Sequence, residues 1–69
     1  MRQPQHSERS HLLSVEEAAE YLGISTGTMR NWVSSKRIEY VKVGRLTRVR
    51  RTALDRYIAA NTVLPKEDA

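Results

Sequence analysis

The sequence predicts a small, mainly α-helical domain with three helices and one β-hairpin. Two observations carry this prediction. Two capped, amphipathic helical patterns flank a tight turn, and a basic, β-branched segment follows them with a Gly-Arg pair near its middle. The chain has 69 residues, enough for one domain with a thin core. So little interior argues against a deep substrate cavity, and therefore against an enzyme.

The first helix is predicted from Val15 to about Leu22. Ser14 and Glu17 have the spacing of a capping box, in which each side chain satisfies the other residue's backbone amide. Gly23 follows at a position where a left-handed residue commonly ends a helix. The apolar positions recur with helical spacing on one face: Val15, Ala18, Ala19 and Leu22.

The second helix is predicted from Thr26 to about Ser35, with Ser25 as its N-cap. Its buried stripe is expected to consist of Met29, Trp32 and Val33. Trp32 is interpreted as core and not as a platform on which bases stack. Two short helices joined across a glycine-containing turn form a helix-turn-helix.

The hairpin is predicted to pair Ile38–Val43 with Leu46–Arg50 across a type II′ turn at Gly44-Arg45. We expect three valines on its packed side and four cations on the other side. The valines are Val41, Val43 and Val49, and the cations are Lys42, Arg45, Arg48 and Arg50. A third helix is expected to start at Thr52 with a weak cap and to pack through Leu54, Tyr57 and Ile58.

Charge is concentrated in the hairpin segment. Between Lys36 and Arg51 lie seven of the twelve Lys and Arg residues and a single acid, Glu39. The segment carries +6 while the whole chain carries +4, so the remainder sums to −2. Protection of an exposed sheet edge accounts for one or two of these cations, but not for all of them. A basic hairpin after a helix-turn-helix is the layout of a winged helix-turn-helix, whose expected partner is double-stranded DNA.

The outward face of the second helix carries small or hydrogen-bonding side chains that fit the ~12 Å major groove. An arginine there can pair with guanine and an asparagine with adenine. The alternative is an ordinary solvated helix face. The candidate residues of this recognition helix are Ser25, Thr26, Gly27, Thr28, Arg30, Asn31 and Ser34.

On the hairpin, Arg45 is the candidate for the minor groove, and Lys42, Arg48 and Arg50 are candidates for phosphate contacts. Lys36, Arg37 and Arg51 are further candidates for contacts to the DNA backbone.

Other function classes find little support in the sequence. Glu16 and Glu17 are explained by helix capping, and His6 and His11 stand in a polar N-terminal segment without any cysteine to complete a metal site. We therefore predict no catalytic residue, no metal and no cofactor. No apolar run approaches the ~20 residues of a membrane span, and a cytoplasmic location is expected.

Several runs closely resemble the excisionase family, small DNA-binding proteins of temperate phages and integrated elements with a MerR-like winged helix. They are Leu13-Ser-Val-Glu-Glu-Ala-Ala-Glu-Tyr-Leu-Gly-Ile-Ser, Thr28-Met-Arg-Asn-Trp-Val, Arg37-Ile, Val41-Lys-Val-Gly-Arg and Ala53-Leu-Asp-Arg-Tyr-Ile. The resemblance covers roughly residues 12–60, between an arm expected to be disordered (1–11) and a short flexible tail (61–69).

The resemblance implies a recombination directionality factor that binds tandem DNA sites head to tail, bends the DNA and turns a tyrosine integrase toward excision. By position, it places Thr28, Arg30 and Asn31 on the recognition helix and Arg45 at the wing tip.

Two other functions remain open. A small MerR-like transcriptional regulator usually dimerises through a long helix, and the nine residues after Ala60 contain no heptad run. A protein-interaction module without a DNA role would leave the basic hairpin without a purpose.

Overall fold

The computed structural model describes residues 11–66. The predicted N-terminal arm, apart from His11, and the last three residues of the predicted tail lie outside the described residues, as does His6. In chain order the elements are β1 (Leu12–Ser14), α1 (Val15–Leu22), α2 (Thr26–Ser34), β2 (Val41–Val43), β3 (Leu46–Arg50) and α3 (Arg51–Ala60). A mainly α-helical domain with a small β wing is confirmed.

The start of α1 follows the predicted capping box. The Glu17 amide donates to Ser14 Oγ over 3.0 Å, and the Ser14 amide donates to Glu17 Oε1 over 2.9 Å. Gly23 ends the helix with a φ of 72°, in the left-handed region that lacks a steric penalty only for glycine. The two boundaries of α1 are therefore fixed locally, by the capping box at its start and by the left-handed glycine at its end, and both can be recognised in the sequence.

The second helix begins at its predicted cap, where Ser25 Oγ accepts from the Thr28 amide over 3.0 Å. It ends at Ser34, one residue earlier than expected, and Ser35 becomes its C-cap. Met29 is fully buried beneath α2, while Trp32 and Val33 are half-buried against the core. Burial of one stripe leaves the opposite side of α2 exposed.

The core is a single cluster beneath the helices and the sheet. Its buried members are Leu13, Ala18, Ala19, Met29, Ile38, Val49 and Leu54. They come from α1, α2, α3, the sheet and the α2–β2 connection, so the wing and the recognition helix share one packed interior. This common core fixes the position of the wing relative to α2.

The sheet has three antiparallel strands in the order β1-β3-β2, not the two strands expected from the hairpin alone. Strand β1 pairs Leu13 with Val49, and the Arg51 amide continues the ladder by donating to the His11 carbonyl over 3.0 Å. Strand β1 has only three residues, and the last of them is already the N-cap of α1. So short a segment shows no alternation of apolar and polar residues, and the sequence therefore did not predict this strand. Strand β2 is also shorter than predicted, because it begins at Val41 and not at Ile38.

The prediction that Val41, Val43 and Val49 share one packed side of the hairpin is wrong. The two-residue turn pairs Val43 with Leu46, and Val41 pairs with Arg48. Directly paired residues share a face and neighbours along a strand alternate, so Val41 and Val43 lie on the Arg48 face, opposite Val49. Val49 is fully buried, whereas Val43 is 46% exposed.

Helix α3 starts at Arg51, directly from the end of β3, and no side chain caps it. The expected cap at Thr52 is wrong, because the cap position falls on Arg50, the last residue of the strand. Leu54 is buried and Tyr57 packs against the core as predicted, but Ile58 is 43% exposed. Ala53, which was not among the predicted packing residues, is buried on this helix.

Candidate nucleic-acid interface

The exposed side of α2 presents most of the predicted recognition residues to solvent. Gly27, Thr28, Arg30, Asn31 and Ser34 are exposed, as is the cap residue Ser25, whereas Thr26 is half-buried. The hydroxyls on this side already have internal partners. Ser25 Oγ donates to Thr28 Oγ1 over 2.9 Å, and Ser34 Oγ donates to the Asn31 carbonyl over 3.3 Å. These hydroxyls form hydrogen bonds near the two ends of the helix. The long polar side chains on its exposed side are those of Arg30 and Asn31.

The Asn31 side chain is the freest hydrogen-bonding group on α2. Its backbone carbonyl accepts from Ser34 and Ser35, but its side-chain amide bonds to no other residue between 11 and 66. A side-chain amide offers one donor and one acceptor side by side, the pattern that matches the major-groove edge of adenine. Asn31 therefore has the chemistry and the accessibility of a base-reading residue.

Arg30 is held by an acid that sequence reasoning assigned only to capping. Its Nη2 lies 3.1 Å from Glu16 Oε2, and the two side chains are 58% and 63% exposed. The carboxylate's hydrogen bond to its own backbone amide and the nearby guanidinium together lower the pKa of Glu16. An exposed pair contributes little to stability and is screened by salt, so Arg30 can exchange Glu16 for another acceptor. The two residues are fourteen apart, and only the packing of α1 on α2 brings them together.

Gly27 is not required by the protein's own structure. A Cβ added there would meet nothing nearer than Ser25 Oγ at 3.9 Å, and its φ is not in the left-handed region. Glycine in a helix is less stable than alanine by about 0.5–1 kcal/mol. This position gives up helix stability and leaves the backbone of α2 open to close approach from outside.

The wing tip has the predicted turn. Gly44 has a φ of 64° while Arg45 does not have a positive φ, which is the combination found in a type II′ turn. Arg45 is exposed, and its guanidinium bonds to no other described residue. The turn therefore presents this charge at the outermost point of the hairpin.

The remaining wing cations do not lie on one side as predicted. Lys42 pairs with Thr47 and so shares the Val49 face, and its Nζ lies 3.4 Å from Thr47 Oγ1. Arg48 and Arg50 lie on the opposite face, where Arg48 is half-buried and donates to the Thr47 carbonyl over 2.9 Å. The wing is thus basic on both faces, with Arg45 between them.

None of the seven cations between Lys36 and Arg51 is neutralised by a carboxylate of the described chain. The two ion pairs within residues 11–66 use Arg30 and Arg56, both outside this segment. Glu39, the one acid of the segment, is bound by Arg56 Nη2 at 2.8 Å. The positive charge of the basic segment is consequently not balanced by any ion pair within the described residues, and five of its seven cations are exposed.

A third polar contact joins the helices away from the wing. The Tyr21 hydroxyl donates to Asp55 Oδ1 over 2.6 Å, which ties α1 to α3 and raises the pKa of Tyr21.

Across residues 11–66, no group of three or more His, Cys, Asp or Glu side chains could hold a metal ion. The same span has no helix with the length and apolarity to cross a bilayer.

Comparison with known proteins agrees with this architecture. Residues 12–62 match the family model described as a helix-turn-helix domain. A "probable excisionase" of Saccharopolyspora erythraea is 50% identical over 48 residues, which cover 70% of this chain and 49% of that protein. The chain therefore spans about half the length of this relative. No solved structure gives a significant match. The closer, MerR-like assignment stays a prediction, but the match over most of the described domain shows that the chain belongs to the helix-turn-helix domain family.

Proposed function

We propose that this protein binds double-stranded DNA as an excisionase and directs a tyrosine integrase toward excision. The observation that carries the proposal is the set of seven unneutralised cations between Lys36 and Arg51, next to a helix that exposes a free Asn31 side chain. The name of the Saccharopolyspora erythraea relative supports the choice of excisionase among DNA-binding functions.

In this proposal α2 occupies the major groove. Asn31 reads a base edge, and Arg30 leaves Glu16 to bind guanine or a phosphate. Gly27, without a side chain, allows the backbone of the first helical turn to come close to the DNA. The other small residues of the exposed side are Ser25, Thr28 and Ser34, with the half-buried Thr26 beside them. Their size keeps this side narrow enough for the groove.

The wing supplies electrostatic attraction. Arg45 enters the minor groove from the hairpin tip, and Lys42, Arg48 and Arg50 contact phosphates on the two sides of the wing. Arg51, half-buried at the start of α3, contributes at most a backbone contact. Each phosphate contact releases counterions, so binding weakens as the salt concentration rises.

One copy of so small a domain buries only ~600–1,000 Å² of protein surface on DNA. Useful occupancy therefore requires neighbouring copies, each of which raises the local concentration for the next. We propose that copies bind tandem sites head to tail in an attachment region and bend it. In the proposed mechanism, the bent DNA then directs the tyrosine integrase toward excision.

A recombination assay tests the proposal. A tyrosine integrase from the same mobile element would act on the left and right junctions of that element, with and without this protein. We expect excised product to depend on the protein and integration to be suppressed by it. The Asn31→Ala variant should weaken the effect, whereas Lys66→Gln, which removes an exposed and unpaired cation outside the basic segment, should keep it. Excision that is equally efficient without the protein would contradict the proposal. A single complex on promoter DNA with no effect on recombination would favour a transcriptional regulator.

A further inference from the structure

Lys36 adopts a backbone conformation that its side chain disfavours. Its φ is 61°, and among residues 11–66 it is the one residue other than glycine with a positive φ. A left-handed conformation brings Cβ of an L-residue too close to the backbone, so glycine is the usual occupant. Such local strain is often retained where the side chain has a function.

The chain contains an internal comparison for this position. At the end of α1, the Ile24 amide donates to the Ala19 carbonyl over 2.9 Å and the Gly23 amide to the Glu20 carbonyl over 3.1 Å. At the end of α2, the Arg37 amide donates to the Trp32 carbonyl over 2.8 Å and the Lys36 amide to the Val33 carbonyl over 3.1 Å. Both are Schellman motifs with the same pair of hydrogen bonds. The first places glycine in the left-handed position and the second places lysine there.

Capping does not explain the lysine. Favourable interaction with the negative end of the helix dipole requires only a cation near the last turn, not one in a left-handed conformation. The carbonyls at this end also have other donors. The Asn31 carbonyl accepts from Ser35 Oγ at 2.8 Å and from the Ser35 amide at 2.9 Å. The helix end is therefore satisfied by serine and by the backbone, without the Lys36 side chain.

The next residue, Arg37, is held on an aromatic surface. Its guanidinium carbon lies 5.0 Å from the Trp32 ring centroid, and Trp32 packs on Tyr57 with 5.1 Å between centroids. The guanidinium carbon lies over the ring, and the N–H edges donate to no described residue. Those edges form the fork that binds phosphate through two hydrogen bonds.

Both side chains lack an anionic partner in the described chain. Arg30 and Arg56 are also exposed, yet each is paired with a carboxylate, whereas Lys36 and Arg37 are not. Two adjacent cations, one retained at a conformational cost and one fixed on a ring, therefore stand unpaired at the C-terminal end of α2.

We propose that Lys36 and Arg37 form a phosphodiester-binding pair that anchors this end of α2 to the DNA backbone, with Trp32 as a positioning residue for Arg37. The proposal rests on the DNA binding proposed above and adds a specific site to it. The left-handed lysine is then a place where the protein gives up folding stability in exchange for affinity.

The decisive variant is Lys36→Gly, measured by thermal unfolding and by DNA titration at several salt concentrations. Relief of the left-handed strain should raise the Tm by roughly 4 °C. Loss of one phosphate contact should make the negative slope of log K against log salt less steep by about 0.9. Over a fourfold salt range, the affinity of the variant should then fall by a factor about 3.5 times smaller than that of wild type. A more stable protein that binds DNA less well is the signature of this proposal.

Three further variants separate the causes. Asparagine tolerates the left-handed conformation and carries no charge, so the slope of Lys36→Asn should become less steep by the same amount as that of Lys36→Gly. Arg37→Lys keeps the charge but loses the stacked fork, so its affinity should fall while its slope is preserved. Lys66→Gln removes one exposed, unpaired charge outside the basic segment and should leave the slope unchanged.

These measurements distinguish failure of the Lys36–Arg37 phosphate site from failure of the proposed DNA binding. If the wild type binds DNA and Lys36→Gly is stabilised without any change in affinity or slope, the phosphate site is refuted and DNA binding stands. If the wild type does not bind DNA at all, the proposed function fails together with this inference.

Discussion

The Arg45→Gln variant is the sharpest test of the wing. Arg45 is exposed at the hairpin tip, and its side chain bonds to no other described residue, so its replacement removes no contact that holds the fold. We therefore expect the free energy of unfolding to stay within about 0.5 kcal/mol of wild type. Any loss of DNA affinity can then be assigned to binding and not to folding.

The size of the loss follows from counterion release. One phosphate-equivalent contributes a slope of about −0.9 to log K against log salt. Between 50 and 200 mM salt, wild-type affinity should fall by a factor about 3.5 times larger than that of the variant. The assay is a fluorescence-anisotropy titration of a labelled duplex at four or more salt concentrations.

The matched control is Lys66→Gln. Lys66 is exposed and forms no ion pair with any described residue, so this change removes one positive charge outside the basic segment and leaves the Arg56–Glu39 pair intact. Its slope should equal that of wild type. If Arg45→Gln has the wild-type slope and affinity while binding itself is intact, the wing tip does not contact DNA and the reasoning about the wing is refuted.

Variants at three other positions test separate parts of the structure. Asn31→Ala should relax preference at one base pair by ~1–3 kcal/mol, and a uniform loss across all sequences in a binding-site selection would argue against base reading. Met29 is fully buried, so Met29→Ala should destabilise the domain by about 2–5 kcal/mol in urea unfolding. Met29→Leu, which keeps the volume, should cost less than about 1.5 kcal/mol. Equal destabilisation by the two variants would contradict the observed packing of Met29. The Tyr21 pKa is raised in the fold by its hydrogen bond to Asp55, so this contact stabilises below the unfolded pKa of about 10 and is lost as the pH rises through the folded pKa. Wild type should therefore lose stability more steeply above that pH than Tyr21→Phe, and parallel pH profiles would count against the contact.

Local signals in the sequence were sufficient to predict the helix-turn-helix. Ser14 with Glu17, Gly23 and Ser25 each act within a few residues, and each forms the hydrogen bond or backbone conformation that its pattern indicates. The Gly44-Arg45 turn is local in the same way. Elements defined by such short-range contacts are readable from one sequence.

The parts that the sequence did not reveal depend on contacts between distant residues. Strand β1 exists because Leu13 pairs with Val49, thirty-six positions away by residue number. The Arg30–Glu16 and Arg56–Glu39 pairs likewise require the folded arrangement of helices. The error over Val41 and Val43 was of another kind, since a two-residue turn already determines which strand residues share a face. In this hairpin the pairing register, and not the hydrophobicity of the valines, determines which side chains face the core.

The candidate DNA-binding residues stay predictions, although the structure gives them a clearer order. Asn31 and Arg45 have free side chains, Arg30 is paired, and Arg48 and Arg51 are half-buried. Charge counting could not make these distinctions, because a paired and an unpaired arginine look alike in a sequence.

The most direct test of the central claim is a gel-shift titration of the wild-type protein at physiological salt on two duplexes of equal length. One duplex carries the attachment region of the protein's own mobile element, and the other carries the same bases in scrambled order. We predict a cooperative ladder of complexes on the attachment region, with the slow migration typical of bent DNA, and only weak binding to the scrambled duplex. Absence of binding to both duplexes would contradict the account, because the unneutralised charge between Lys36 and Arg51 would then have no nucleic-acid partner.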